Sequence, residues 1–257
     1  MIQYSFDDKV AIVTGAAIGI GFEIVKQLCS SGASVIINDI DSAALEKATT
    51  IIRNQGGKCN AVLGNSGDLG TIQKMVQKAV REYGKLDFVV ANAGITTFGN
   101  FIDYKPEDFQ TLTSVNLQGS FFLAQAATKQ FIKQKTGGRV IFMSSVTGHQ
   151  AHPKLAAYGM TKAALEMLAK SLSVELAPHK ITVNAVAPGA TLTERTQSDE
   201  GYKATWEDIT PTGIVSTTKD ISNTILFLLS DSSSQITGQT IVVDGGWTSV
   251  SPPPNEM

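Results

Sequence analysis

A run of four apolar residues, Val10-Ala11-Ile12-Val13, halts at Thr14-Gly15, and glycines then lead directly into a helical pattern. A short strand with no polar alternation is buried on both faces, as in a parallel sheet covered by helices. That unit recurs along the chain. Apolar runs at Ser34–Asn38, Asn60–Leu63, Leu86–Val90, Arg139–Met143, Ile181–Val186 and Thr240–Asp244 alternate with segments of helical period at Ala43–Arg53, Thr71–Tyr83, Pro106 to about Phe131, the Tyr158 segment to about Leu176, and Ile221–Leu229. Gly56-Gly57, Gly84, Gly137-Gly138 and Pro178 punctuate them.

Regular β/α alternation predicts an α/β fold: a doubly wound parallel sheet of about seven strands, helices on both faces, ligands at the carboxyl ends of the strands. No linker or repeat divides the 257 residues, so one domain is expected over 1–257. Two stretches stand apart. Residues 190–216 lack a sustained period and are expected to form a flap over the site, while the proline-rich tail, 249–257, is expected to be loose. Between flap and last helix, Thr217-x-x-Asp220 has the form of a capping box.

Composition narrows the function. A net charge of −2 with no basic cluster argues against nucleic acid or an anionic membrane as partner. No stretch reaches the roughly 18 apolar residues of a membrane span. Cys29 and Cys59 form neither a metal-ligand spacing nor a disulfide framework, so no metal is expected and a reducing, cytoplasmic setting is.

The first turn carries Gly15, Gly19 and Gly21 in the spacing G-x-x-x-G-x-G, with Ile18 and Ile20 between them. Unpaired N–H groups and the dipole of the following helix make such a turn an anion site, suited to a pyrophosphate. Asp39 ends the second strand eighteen residues after Gly21. A carboxylate there can accept from both hydroxyls of an adenosine ribose and repels a 2′-phosphate, and neither Ile18 nor Ile40 offers a cation. NAD is therefore expected over NADP. Asn92-Ala93-Gly94, directly after the fourth strand, lets a flat ring approach the backbone.

Tyr158 and Lys162 stand four apart on one helix and so share a face. A free phenol has a pKa of about 10, but a cation roughly 4 Å away at an effective dielectric near 20 stabilises its anion by about 4 kcal/mol. Such a pair can exchange a proton with an alcohol or ketone. In isolation it is an ordinary surface pair; its company here gives it weight.

Taken in order, Thr14-Gly15-x-x-x-Gly19-x-Gly21, Asn92-Ala93-Gly94, Asn116, Ser145, Tyr158-x-x-x-Lys162 and Pro188-Gly189 resemble the motifs of the short-chain dehydrogenase/reductase family, single-domain branch, with a Rossmann-type fold. The resemblance runs from about Asp8 to Gly246. It implies that Tyr158 is the general acid or base, that Lys162 assists it and binds the nicotinamide ribose, that Ser145 holds the substrate oxygen, and that Asn116 orders a water in a proton relay. Ser145 is preferred to Ser144 because the family's serine lies thirteen residues before the tyrosine. The family's Pro-Gly-x-x-x-Thr implies Pro188, Gly189, Thr191 and Thr193 at the nicotinamide carboxamide. Asn65-Ser66 stands where the family commonly has Asp-Val or Asp-Leu facing adenine. A homotetramer is implied through the helices at Phe109–Phe131 and Tyr158–Leu176 and the last strand.

The reaction so implied is hydride transfer between a secondary alcohol and its ketone with NAD. Thr96, Thr97, His149, His152, Thr191, Glu194, Tyr202 and Trp206 are the expected pocket positions, and their polarity favours a sugar or polyol. Two alternatives stand beside it: a 3-oxoacyl thioester reductase, and a non-catalytic nucleotide sensor or structural protein.

Overall fold

The computed structural model describes residues 4–250. Its first half alternates β1 (Val10–Thr14), α1 (Gly19–Ser30), β2 (Ser34–Asp39), α2 (Ser42–Asn54), β3 (Lys58–Leu63), α3 (Leu69–Tyr83) and β4 (Phe88–Ala91). Helices α4 (Pro106–Thr113) and α5 (Ser120–Gln134) follow, then β5 (Gly138–Met143), α6 (Ala156–Leu176) and β6 (Ile181–Pro188). The chain continues through β7 (Thr191–Leu192), α7 (Glu194–Gln197), α8 (Tyr202–Ile209), β8 (Ser216–Thr217), α9 (Thr218–Leu229) and β9 (Thr240–Val243).

Seven strands pair in the order β3-β2-β1-β4-β5-β6-β9, every pair parallel. The predicted doubly wound α/β sheet is what forms. Alternate residues of β1 feed opposite faces: Ala11 and Val13 pack with α1, α2 and α9, while Val10 and Ile12 pack with α3, α5 and α6. Burying an Ile, Val or Leu side chain in either layer contributes about 1.5–3 kcal/mol. From β1 the chain winds outward to β3 and then returns to lay β4 on the other side of β1. The reversal opens a crevice at the carboxyl edge between them, where ligands of such sheets bind.

Local signals explain most element ends. Asp41 and Asp68 cap α2 and α3 through bonds to Ala44 and Thr71 N–H, and Gly84 closes α3 in the left-handed region. The Thr217–Asp220 capping box forms in both directions. Two expectations need correction. The segment from Pro106 to Phe131 is not one α-helix, because Ser114–Gly119 winds as a π turn between α4 and α5. The 190–216 flap is also more regular than its sequence suggests, holding α7, α8 and a two-stranded parallel β7–β8 ribbon. Of the tail expected to be loose, Ser249 and Val250 are described, and the prolines lie outside the described residues.

No helix among the described residues is long and apolar enough to cross a membrane. Nor do three or more His, Cys, Asp or Glu side chains among them group as metal ligands. Burial pushes the Cys29 thiol up to about 12 and raises Cys59 as well, so neither is a thiolate near neutrality.

Candidate active site

A cleft of about 600 Å³ runs along the carboxyl edge of β1, β2, β4 and β5. Its floor is the glycine turn. Gly15 has φ +59°, and a Cβ there would stand 2.8 Å from Ala93 Cα, so only glycine permits the two backbones to approach this closely. Thr14, buried, accepts from the N–H groups of both Asn92 and Ala93 at 3.1 Å, and Asn92 Nδ2 donates back to Thr14 and Gly15 carbonyls. The turn is thereby stapled to β4.

At the far end Asp39 accepts from Ala17, Ile40 and Asp41 N–H groups. Ile18 and Ile40 flank it, 52% and 72% exposed, apolar surfaces left open beside a carboxylate. Asn65 lines the same end, its Oδ1 taken by Gly67 N–H, and Ser66 lies beside it.

The opposite wall is β5 and α6. Lys162 is 3% exposed, its Nζ donates to Met143 O at 2.8 Å and lies 5.4 Å from the Tyr158 ring centre. The single bond to Met143 leaves ammonium protons facing the cleft and Gly94, where a Cβ would come within 3.2 Å of Nζ. Ser145 Oγ accepts from Thr147 N–H and hydroxyl, so its own O–H is free to donate to an oxygen in the cleft. Ser144 turns the other way, as strand alternation predicts, and donates to Glu166 Oε1 at 2.7 Å and to Lys162 O at 3.1 Å.

Among the residues predicted for catalysis or cofactor binding, Asn116 alone does not line the cleft. It is fully buried at the π turn. Its Oδ1 accepts from Ile95 N–H at 2.9 Å, and Nδ2 donates to Ile95 O at 3.0 Å and to Thr161 Oγ1 at 3.1 Å. Thr161 in turn donates to Tyr158 O. A π turn here is what aims the amide at the Ile95 loop and α6 together. Gly15, Ile18, Gly19, Ile20, Gly21, Asp39, Ile40, Asn65, Ser66, Asn92, Ala93, Gly94, Ser145, Tyr158, Lys162, Pro188, Gly189, Thr191 and Thr193 all meet in the one cleft.

The expected pocket positions divide. Thr96, Thr191, Glu194 and Tyr202 line the cleft. Thr97 instead bonds Tyr104, His149 Nδ1 faces Glu166 Oε1 at 3.2 Å, His152 stacks on Trp247, and Trp206 packs edge-on against the same ring. Burial raises the Tyr202 phenol, opposed by Thr191 N–H and Arg195, so this second phenol of the cleft stays protonated at neutrality. Residues that sequence reasoning missed include Ile95, Thr111, Val115, Met143 and Arg195. Thr111 and Val115 stand four apart, one residue before Asn116, a spacing that puts them on one face.

The cradle suits a dinucleotide: a backbone floor without side chains, a helix N-terminus, and a carboxylate one ribose end away. A family model described as enoyl-(acyl carrier protein) reductase matches residues 15–248. A tetrahydroxynaphthalene reductase of Pyricularia oryzae is 35% identical, over 94% of this chain and 90% of its own length. A short-chain type dehydrogenase/reductase from Mycobacterium marinum superposes with a TM-score of 0.90 at 34% identity, covering 96% of this chain and 98% of that one. A gluconate 5-dehydrogenase from Burkholderia cenocepacia, solved with NADP and tartrate, does so at 0.89 and 28%, covering 97% and 98%. Motifs, sheet order and relatives agree: the chain belongs to the short-chain dehydrogenase/reductase family, oxidoreductases of alcohol and carbonyl groups that use a nicotinamide dinucleotide.

Proposed function

We propose that this protein interconverts a secondary alcohol and its ketone, using NAD in preference to NADP, on a small hydroxylated substrate such as a sugar or polyol. The observation that carries the proposal is the shared cleft: the glycine turn and Asp39 line one end, and Ser145, Tyr158 and Lys162 the other. The bound dinucleotide supplies the hydride acceptor or donor. Gly15, Ile18, Gly19, Ile20 and Gly21 hold its pyrophosphate, Asp39, Ile40, Asn65 and Ser66 its adenosine, and Asn92, Ala93, Gly94, Pro188, Gly189, Thr191 and Thr193 its nicotinamide end.

In this reading Tyr158 Oη takes the proton from the alcohol oxygen, or returns it to the ketone. Lys162 stabilises the phenolate by charge and gives its remaining protons to the nicotinamide ribose. Ser145 donates its free O–H to the substrate oxygen and fixes it for the transfer. Asn116 keeps the Gly94–Ile95 backbone against α6 and supports the proton path.

The Asp39 carboxylate and the absence of a cation at Ile18 and Ile40 favour NAD. The hydroxyls of Thr96, Thr111, Thr191 and Tyr202, with the Arg195 guanidinium, favour a polar substrate, and tartrate in the related gluconate 5-dehydrogenase is of that kind. A thioester reductase is the second reading, favoured by the description of the matching family model. Phe121, Met167 and Val174, exposed on α5 and α6, support a homotetramer joined through those helices. Rates with NADH and NADPH on keto sugars, hydroxylated keto acids, a polyphenolic ketone and an acetoacetyl thioester test the reading. Turnover of the first two with NADH is expected, and turnover confined to the thioester with NADPH would replace it.

A further inference from the structure

The glycine turn that should receive a pyrophosphate already holds an anion. Ile18, at the N-cap of α1, makes no side-chain capping bond, and the first turn of α1 contains no acid of its own. Glu194 reaches across from the flap, 175 residues away, and its Oε2 accepts from Gly19 N–H at 3.0 Å. It stands at the first position of α7, whose capping box fixes it: Thr193 Oγ1 accepts from Thr196 N–H, and Thr196 Oγ1 accepts from Thr193 N–H. A Cβ on Gly19 would lie 3.6 Å from Thr193 and 3.8 Å from Glu194 Oε2, so the flap rests on the turn itself.

We infer that Glu194 is an internal competitor for the cofactor, a carboxylate latch that closes the flap over the pyrophosphate site and must be displaced when a dinucleotide binds. The inference rests on the dinucleotide reading of the cleft. Its physics is a population argument. A helix N-terminus favours negative charge, and a tethered carboxylate takes that place when no diphosphate is present. Measured affinity for the cofactor is then reduced by the fraction of molecules with the latch open. Once displaced, the same carboxylate lies near a diphosphate and repels it, which favours an open flap and cofactor release.

NADH titrated into the parent chain, Glu194→Gln and Glu194→Ala, followed by reduced-nicotinamide fluorescence, tests this. Gln keeps an acceptor for Gly19 and loses the charge; Ala loses both. Binding should tighten in that order, reaching about three- to tenfold for Ala, a gain that a merely structural role for Glu194 does not produce. Adenosine, which lacks the diphosphate, should bind all three proteins alike. Affinity for NADH unchanged or weakened in Glu194→Ala overturns the latch, as does an equal gain for adenosine. Failure of the parent and both variants to bind NADH overturns the dinucleotide reading itself, and the latch with it.

Discussion

The two sides of the cleft are built on opposite principles. The wall formed by β5 and α6 is anchored: Lys162, Thr161, Ser144 and Asn116 are buried, and each spends polar atoms on another element. The roof, from β7 to β8, consists of a four-residue helix, an eight-residue helix and a two-stranded ribbon, with no residue of either helix buried. Acid–base chemistry tolerates little displacement, whereas entry and exit of ligands need a segment that opens at low cost. Substitutions in the wall should therefore change rate or stability, and substitutions in the roof should change affinity.

The largest effect is expected at Tyr158. Phenylalanine removes the phenol oxygen proposed to pass the proton to the substrate while keeping the ring beside Lys162. General acid–base assistance is worth about 10²–10⁴ in rate, so Tyr158→Phe should lose at least that in kcat while NADH affinity stays within about twofold. Steady-state kinetics beside an NADH titration would read both. A variant with more than a tenth of parent kcat would break the assignment of the wall to chemistry.

Next is Asn116, whose amide joins the Ile95 loop to the turn of α6 that bears Tyr158. Asn116→Ala leaves Ile95 N–H, Ile95 O and Thr161 without this partner in a site that water does not reach, a loss of about 3 kcal/mol. For a chain of this size that is roughly 6–12 °C in Tm. Calorimetry checks the first number and kcat the second consequence, which should fall with it. Unchanged Tm with lost activity would mean that Asn116 acts on protons directly and is no anchor.

How far the sequence foretold this contrast follows from where each part gets its stability. Buried parallel strands are pure apolar runs such as Val10–Val13 and Val35–Ile37, and their helices end at glycines and prolines, so the sheet was legible. Ser145 was separable from Ser144 by its spacing of thirteen residues from Tyr158, and the strand alternation that turns Ser144 to Glu166 agrees with that choice. The π turn was not legible, since Ser114–Gly119 has ordinary helical composition and the partner its Asn116 meets lies in a loop 21 residues away. The roof was illegible for the same reason. The Thr193–Thr196 capping box has only a four-residue helix behind it, nothing local in Tyr202–Ile209 outweighs its loop-like composition, and Gly19, Trp247 and β8 hold both from outside. Glu194 lines the cleft as expected of a pocket position, but its bond to Gly19 was not legible because no local pattern reveals a partner in the first helix.

The smallest effect, and the sharpest test of the roof, is at Trp206. Its ring meets Trp247 edge-on at 5.3 Å and 76° and lies 6.1 Å from Tyr202, which lines the cleft. Such aromatic pairs are worth about 0.5–1.5 kcal/mol beyond the area they bury. Trp206→Ala should therefore loosen α8 without disturbing the sheet. If the flap closes over substrate, about 1 kcal/mol lost from the closed form raises KM roughly fivefold, with kcat within about twofold and Tm lower by no more than roughly 4 °C. A fall in kcat at constant KM would place the roof in the chemistry after all, because a lid that only gates binding has no means of slowing the proton step proposed for Tyr158 beneath it.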